Sequence, residues 1–71
     1  RQYAAKRSAL ERTMIAVNTR YGRIMMKVSR RNGAVVTVAP EYEDCARIAR
    51  EHGIPLKEVQ AMAVREYQAR S

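Results

Sequence analysis

The spacing of the apolar residues changes once along the chain, close to Pro40. Before that point apolar and polar residues alternate, as in strands that bury one face. After it the apolar residues recur every three or four positions, as in amphipathic helices. This change predicts an α+β fold in which a small antiparallel sheet of three to four strands precedes two helices that pack on one face. We expect all 71 residues to form a single domain.

The first two predicted strands, Thr13–Thr19 and Arg23–Ser29, form a hairpin. Gly22 can supply the positive φ angle that a tight turn needs, so we expect a two-residue turn at Tyr21-Gly22. Such a turn pairs Val17 with Met26, and it places the apolar residues of both strands on one face. The opposite face then carries three side chains of the second strand, those of Met25, Lys27 and Ser29.

A third strand is predicted at Ala34–Ala39. A two-residue turn at Asn32-Gly33 would mix the apolar and polar faces of the sheet. A three-residue loop with Gly33 in the left-handed conformation sets Val28 against Val36 and keeps the faces apart, so the parity of the pattern favours this loop.

Two helices are predicted after Pro40, at Glu41–His52 and Pro55–Ala69, and Gly53 is suited to end the first. Apolar stripes define the buried face of each helix, and they comprise Tyr42, Cys45, Ala46 and Ala49 in the first helix and Leu56, Val59, Ala63 and Tyr67 in the second. The segment Arg1–Leu10 has both weak alternation and helical features, and we expect an additional strand there.

The positive charge of the chain is concentrated in its first half. The net charge is +7 and the pI about 10.3, but residues 1–39 carry nine basic residues and one acid (+8), whereas residues 40–71 carry five and six (−1). This asymmetry indicates an anionic partner, although a solvated basic face is an equally simple interpretation. No apolar run approaches the ~20 residues that span a membrane. A single cysteine excludes an internal disulfide and favours a cytoplasmic setting.

Three carboxylates follow the third strand directly, at the start of the first predicted helix: Glu41, Glu43 and Asp44. Acids at this position complement the helix dipole, and that structural explanation is the stronger one on composition alone. The alternative is a divalent metal ion held by these oxygens, directly or through water. Since the acids would repel bare phosphates, their position next to a basic sheet favours a metal–nucleotide complex.

Candidate nucleotide-binding residues are Lys27, Arg30 and Arg23 for the phosphates, and Tyr42 for stacking on a base. Cys45 and His52 are more simply explained as a buried small side chain and as a residue of the last helical turn than as metal ligands. The three glycines stand alone, so there is no Gly-rich phosphate loop, and no catalytic residue is identified.

Three segments carry a family resemblance. The run from Val17 to Val28 fits the pattern V-x-T-x-x-G-x-x-x-x-K-V, and Val38–Cys45 and Ile54–Val59 resemble the segments that follow it. Pro40-Glu41-Tyr42-Glu43-Asp44 is the most specific of these runs. Together they resemble the C-terminal domain of the LarC family of nickel insertion proteins, over about four-fifths of the chain.

The resemblance implies a CTP-dependent cyclometallase of the lyase class. Such an enzyme inserts nickel into pyridinium bisthiocarboxylate mononucleotide and completes the nickel-pincer nucleotide cofactor of lactate racemase. It implies that the C-terminal domain binds CTP with Mn²⁺ or Mg²⁺ and forms homo-oligomers, whereas the mononucleotide is handled by an N-terminal part that is missing here. On this interpretation the chain is a C-terminal fragment of a longer protein, and it binds nucleotide without full activity.

Two other functions fit the sequence. A nucleic-acid-binding module would explain the high pI, but sheet-based RNA readers stack bases on aromatic residues, and the predicted strands from Thr13 to Ala39 contain none. A purely structural oligomerisation domain would explain the small size and the open sheet edges. The leading interpretation remains a nucleotide-binding domain, for which nucleic acid and membrane partners are not expected.

Overall fold

The computed structural model describes residues 10–70, which form a three-stranded antiparallel sheet followed by two helices. The elements are β1 (Glu11–Thr19), β2 (Gly22–Arg31), β3 (Ala34–Pro40), α1 (Tyr42–His52) and α2 (Leu56–Ala69). β2 lies between β1 and β3. The α+β class predicted from the sequence is confirmed. Of the additional strand predicted within Arg1–Leu10, residues 1–9 lie outside this description, and Leu10 belongs to no strand.

The core lies between the sheet and the helices. Alternation along β2 turns Ile24, Met26 and Val28 towards the helices, and each of them is at most 1% exposed. Burial of one such side chain stabilises the fold by about 1.5–3 kcal/mol. The buried residues of the core are Val17, Ile24, Met26, Val28, Cys45, Ile48, Val59 and Ala63. They fix which face of the sheet the helices cover.

The two helices contribute to this core differently from each other. In α2 the predicted stripe is confirmed, with Val59 and Ala63 buried at its centre. In α1 the predicted stripe is partly wrong, because Ile48 is buried beside Cys45 while Tyr42 remains 57% exposed. A helix buries one stripe, and a large aliphatic side chain gains more from that stripe than a tyrosine whose hydroxyl needs a polar partner. Neither of the two described helices, with 11 and 14 residues, has the length and apolarity needed to cross a membrane.

The first hairpin turn lies one residue earlier than predicted. The turn residues are Arg20-Tyr21, and Val17 pairs with Ile24 instead of with Met26. The Thr19 side chain explains the difference, because its hydroxyl accepts the Tyr21 N–H at 3.1 Å and donates to the Gly22 carbonyl at 2.8 Å. The resulting register differs by two residues from the predicted one. A shift of two keeps each side chain on its predicted face.

The second hairpin does not have the predicted three-residue loop. Asn32 and Gly33 form a two-residue turn, and both have the positive φ angles, 54° and 82°, that a type I′ turn requires. The extra residue lies instead within β3, where Val36 is bulged, so that Val28 pairs with Val38 and not with Val36. The parity argument therefore identified a real irregularity but assigned it to the turn. A bulge inside the strand corrects the faces equally well.

Candidate functional site

The face of the sheet opposite the helices, which we call the open face, is basic. By the strand registers it carries Arg12, Met14, Ala16 and Asn18 of β1, Arg23, Met25, Lys27, Ser29 and Arg31 of β2, and Thr37 and Ala39 of β3. None of these positions is acidic. The predicted location of Lys27 and Ser29 on this face is confirmed. Within residues 10–70 neither helix covers the open face, and Arg12, Arg23 and Lys27 are exposed there.

A depression of about 360 Å³ lies on the open face. Its lining includes the cations Arg12 and Lys27 and the hydroxyl residues Ser29 and Thr37, together with the apolar residues Met14, Val28 and Ala39. Arg12 is paired with Ser29 across β1 and β2, and Ser29 with Thr37 across β2 and β3. These three residues therefore form a row of N–H and O–H donors across the sheet, with Lys27 in the adjacent row. Such a set of donors is suited to binding phosphate or carboxylate oxygens.

The acidic start of α1 adjoins this depression through one ion pair. Lys27 Nζ lies 3.9 Å from Glu41 Oε1, and the two side chains are 59% and 37% exposed. An ion pair of this length and exposure contributes between about 0 and 1 kcal/mol to stability. The Lys27 ammonium is therefore held only weakly by Glu41 and can exchange that partner for an anionic ligand.

Asp44 has a different environment from the other two acids. Its Oδ2 accepts the backbone N–H of Met25 at 2.9 Å, and its Oδ1 lies 3.4 Å from Nη2 of Arg47. The backbone N–H of Glu41 donates to the Met25 carbonyl at 2.8 Å. Two hydrogen bonds thus join the start of α1 to β2, and they involve the backbone N–H and C=O of Met25.

The structure brings together only some of the predicted site residues. Arg23 and Lys27 lie on the open face, whereas Arg30 alternates to the other face of β2. Tyr42 is exposed at the first residue of α1. Lys27 is thus the one predicted phosphate ligand that contacts a predicted metal ligand, Glu41.

The three predicted metal ligands do not converge. Glu43 is exposed and Asp44 is engaged by Met25, and within residues 10–70 no three His, Cys, Asp or Glu side chains come close enough to hold a metal ion. The acids supply hard oxygen donors of the kind that Mn²⁺ and Mg²⁺ prefer, but too few for a complete coordination shell. A bound cation would therefore need oxygens from a ligand and from water.

Sequence reasoning missed three residues that line the depression, Arg12, Ser29 and Thr37. Arg12 lies before Val17, where the first of the three segments that carry the family resemblance begins. The two hydroxyl residues could have been found from the strand pairing, because each lies opposite its partner on the polar side of a predicted strand. This signal required the correct register of both hairpins.

Cys45 and His52 have structural environments. Cys45 is fully buried, and burial, together with the nearby charge of Asp44, raises the pKa of its thiol. The rings of His52 and Tyr21 are 4.6 Å apart, centroid to centroid. Tyr21 also packs against the core, whereas Tyr42, the tyrosine predicted to stack on a base, is 57% exposed.

These features define a class of domain. It is a small α+β domain whose helices cover one face of a sheet and whose basic open face adjoins an acidic helix start. The chain belongs to the nickel insertion protein family, since the model of that family matches residues 1–60. The resemblance inferred from the sequence is thereby confirmed.

Similar curated proteins carry related names. A putative nickel insertion protein of Myxococcus xanthus (strain DK1622) is 42% identical over 64 residues, which are 90% of this chain and 16% of the relative. The pyridinium-3,5-bisthiocarboxylic acid mononucleotide nickel insertion protein of Thermotoga sp. (strain RQ2) is 50% identical over 48 residues, which are 68% of this chain and 12% of the relative. The chain thus spans a small part of the length of these relatives.

One solved structure has the same fold. It is described as LarC2, the C-terminal domain of a cyclometallase involved in the synthesis of the NPN cofactor of lactate racemase, in its apo form. The match has a TM-score of 0.77 and 30% sequence identity, and it covers 83% of this chain and 40% of that one. The arrangement of three strands and two helices is therefore shared with that domain.

Proposed function

We propose that this chain is a nucleotide-binding domain that takes CTP together with Mn²⁺ or Mg²⁺. The observation that carries the proposal is the depression on the open face, where Arg12 and Lys27 lie among hydroxyl groups and Lys27 contacts Glu41. Cationic and acidic groups at one place suit a ligand that is itself an anion complexed with a cation. The matched family and the solved cyclometallase domain support the same class of function.

The spacing of the donors suits a triphosphate. Neighbouring strands lie about 4.8 Å apart, so the row formed by Arg12, Ser29 and Thr37 extends over roughly 10 Å. Lys27 lies in the adjacent row on the same face. A phosphate chain laid across the strands would meet a charged or hydroxyl donor at each of them. Arg23 lies farther along β2 on this face, next to the first hairpin, and Arg30 and Tyr42 would act from outside the depression.

The divalent cation would lie where the open face meets α1. Glu41 would bind it directly, while Glu43 and Asp44 would act through water or through their charge. Phosphate and water oxygens would complete the coordination, because hard cations such as Mg²⁺ are commonly bound by one or two carboxylates plus substrate phosphates. When bound, the cation would neutralise phosphate charge that the acids otherwise repel. The protein's own cations would then orient the phosphates.

The relatives support a role for this domain within a longer protein. One of them is named for inserting nickel into pyridinium-3,5-bisthiocarboxylic acid mononucleotide, and the solved relative is described as part of a cyclometallase. We place this chain in a CTP-dependent enzyme of the lyase class that completes the nickel-pincer nucleotide cofactor in the cytoplasm. Nickel and the mononucleotide would be substrates that are bound outside this domain. The domain itself would supply the CTP site.

Self-association is also part of the proposal, because the outer edge of β3 is suited to pairing with a strand of a second chain. Residues 32–40 carry no charge, and Val35 and Val36 are 47% and 49% exposed. Within residues 10–70, β3 pairs only with β2. An uncharged strand edge is where two chains of charge +7 can approach with the least repulsion. Light scattering of the chain should therefore show an oligomer, and a monomer at all concentrations would contradict this part.

Isothermal titration of the chain with CTP and with ATP, each with and without Mn²⁺, tests the proposal. We expect CTP to bind more tightly than ATP, and Mn²⁺ to strengthen the binding of CTP. Equal affinity for both nucleotides, or no effect of Mn²⁺, would contradict the proposed function. A single-stranded oligonucleotide is the control ligand. Stronger, steeply salt-dependent binding of that oligonucleotide would favour a nucleic-acid-binding module instead.

A further inference from the structure

Met25 of β2 lies just beyond the last residue pair between β2 and β3, at the junction between β3 and α1. The last pair between β2 and β3 joins Met26 to Pro40, and the chain then turns into the helix. The N–H and C=O of Met25 face this junction. Glu41 and Asp44 take the place of a strand there, since the Glu41 N–H donates to the Met25 carbonyl and the Asp44 carboxylate accepts the Met25 N–H.

We propose that Asp44 is a positioning residue, which fixes the start of α1 against β2 so that Glu41 faces Lys27. This inference rests on the proposed function, in which Glu41 and Lys27 hold the metal ion and the phosphates. It assigns Asp44 to the support of the site, outside the inner coordination shell of the metal.

The contacts of the carboxylate favour this role. Oδ2 makes a 2.9 Å bond to a backbone N–H, and Oδ1 lies near Arg47, which belongs to the same helix. The side chain is only 27% exposed, less than that of Glu41 at 37%. A metal ion that the Asp44 carboxylate bound directly would compete with Met25 and Arg47 for the same two oxygens. Hydrogen bonds between an ionised acceptor and a backbone donor are among the stronger ones in proteins.

The effect on the site passes through the β2 backbone. Met25 and Lys27 are two residues apart, so their side chains lie on the same face of the strand. The bond that the Met25 N–H donates to Asp44 and the bond that the Glu41 N–H donates to the Met25 carbonyl together join the start of the helix to the strand. Loss of the Asp44 carboxylate frees the first helical turn to move away from β2. The Glu41 side chain would then lose its place beside Lys27.

Two substitutions separate positioning from metal ligation. Asp44→Asn keeps an oxygen that can accept the Met25 N–H but removes the negative charge, whereas Asp44→Ala removes both. Glu51→Ala is the control for charge, because Glu51 is exposed near the end of α1 and its loss changes the net charge by the same amount. The measurements are the hydrogen exchange of the Met25 amide and the affinity for CTP with Mn²⁺.

For Asp44→Ala we expect Met25 amide exchange and the Kd for Mn²⁺–CTP each to rise by about tenfold or more, as for the loss of a hydrogen bond to a charged group. In Asp44→Asn both should rise by less than in Asp44→Ala, because the amide oxygen still accepts the Met25 N–H, although more weakly than a carboxylate, and Glu51→Ala should change neither. An Asp44→Asn chain with a protected Met25 amide but lost Mn²⁺–CTP binding would overturn the proposal in favour of ligation. Unchanged Met25 exchange in Asp44→Ala would also overturn it.

Failure of the proposed function would be seen separately. If the unsubstituted chain bound no Mn²⁺–CTP, the proposed nucleotide site would be refuted. The proposed effect of Asp44 on nucleotide affinity would then be refuted as well. The exchange of the Met25 amide would still decide whether Asp44 joins α1 to β2. Circular dichroism of each variant shows whether it folds, and Asp44→Asn retains the test if Asp44→Ala does not.

Discussion

Replacement of Lys27 by alanine should weaken nucleotide binding strongly while leaving the fold almost unchanged. Lys27 lines the depression on the open face, and its side chain is 59% exposed. Its ion pair with Glu41 is 3.9 Å long. An exposed pair of this kind contributes between about 0 and 1 kcal/mol, so the free energy of unfolding should fall by about 0.5 kcal/mol or less.

The effect of Lys27→Ala on binding should be larger than its effect on stability. The affinity for the nucleotide should fall by one to two orders of magnitude. An unscreened pair of unit charges about 4 Å apart near a protein surface interacts with about 4 kcal/mol, and salt and solvent reduce this value. A hydrogen bond to a charged group contributes about 1.5–3 kcal/mol net, which corresponds to a rise in Kd of roughly 10- to 100-fold.

Lys57→Ala provides the matched control for this experiment. Lys57 is exposed in the first turn of α2, on the helical side of the sheet, and its loss lowers the net charge by the same amount. Titration calorimetry with Mn²⁺ and CTP should show a large loss for Lys27→Ala and a change of less than about threefold for Lys57→Ala. Equal losses in the two variants would refute the reasoning, because they would show that only the overall charge attracts the nucleotide.

Three further predictions concern stability and are measured by urea denaturation. Ile48→Ala should lower the free energy of unfolding by about 2–5 kcal/mol, because Ile48 is fully buried. Val36→Ala is the control at a half-exposed position and should lower it by about 1 kcal/mol or less. Equal losses in the two variants would contradict the assigned core. Gly33→Ala should lower the free energy of unfolding by roughly 1 kcal/mol, because alanine is strained at the Gly33 φ angle of 82°. A steric clash would not contribute, since no atom lies within 4 Å of the added Cβ. An unchanged denaturation midpoint would contradict the assigned turn. The raised pKa of the Cys45 thiol means that the unfolded chain loses this proton at lower pH than the folded one. Stability should therefore fall as the pH rises above about 8.5, and Cys45→Ala should lack this fall; the same slope in both chains would show that the thiol is not its source.

The sequence predicted the elements of the fold well because the apolar period differs so clearly on the two sides of Pro40. Strand faces were also predictable, since alternation leaves only two choices. The strand registers were not. At the first hairpin, a side-chain hydroxyl of Thr19 fixes the turn, and at the second, a bulge at Val36 competes with a longer loop. Both solutions satisfy the same pattern, so the pattern cannot choose between them.

The candidate site, like the fold, was predictable from the sequence only in part. The charge asymmetry directed attention to the sheet and to the acids after it, and Lys27 Nζ and Glu41 Oε1 lie 3.9 Å apart. The pattern could not show that Asp44 turns to a backbone N–H, because that bond depends on where β3 ends and how α1 crosses β2. Equally, Arg12 becomes part of the depression only through its pairing across the sheet.

The central claim is that a metal–nucleotide complex binds where the open face meets the start of α1. Paramagnetic broadening of backbone amide signals by Mn²⁺ tests this location directly. With CTP present, we expect the strongest broadening around Glu41 and Lys27, and sharp signals at Ala69 near the end of α2. Equally strong broadening without CTP, or broadening centred away from Glu41 and Lys27, would contradict the account.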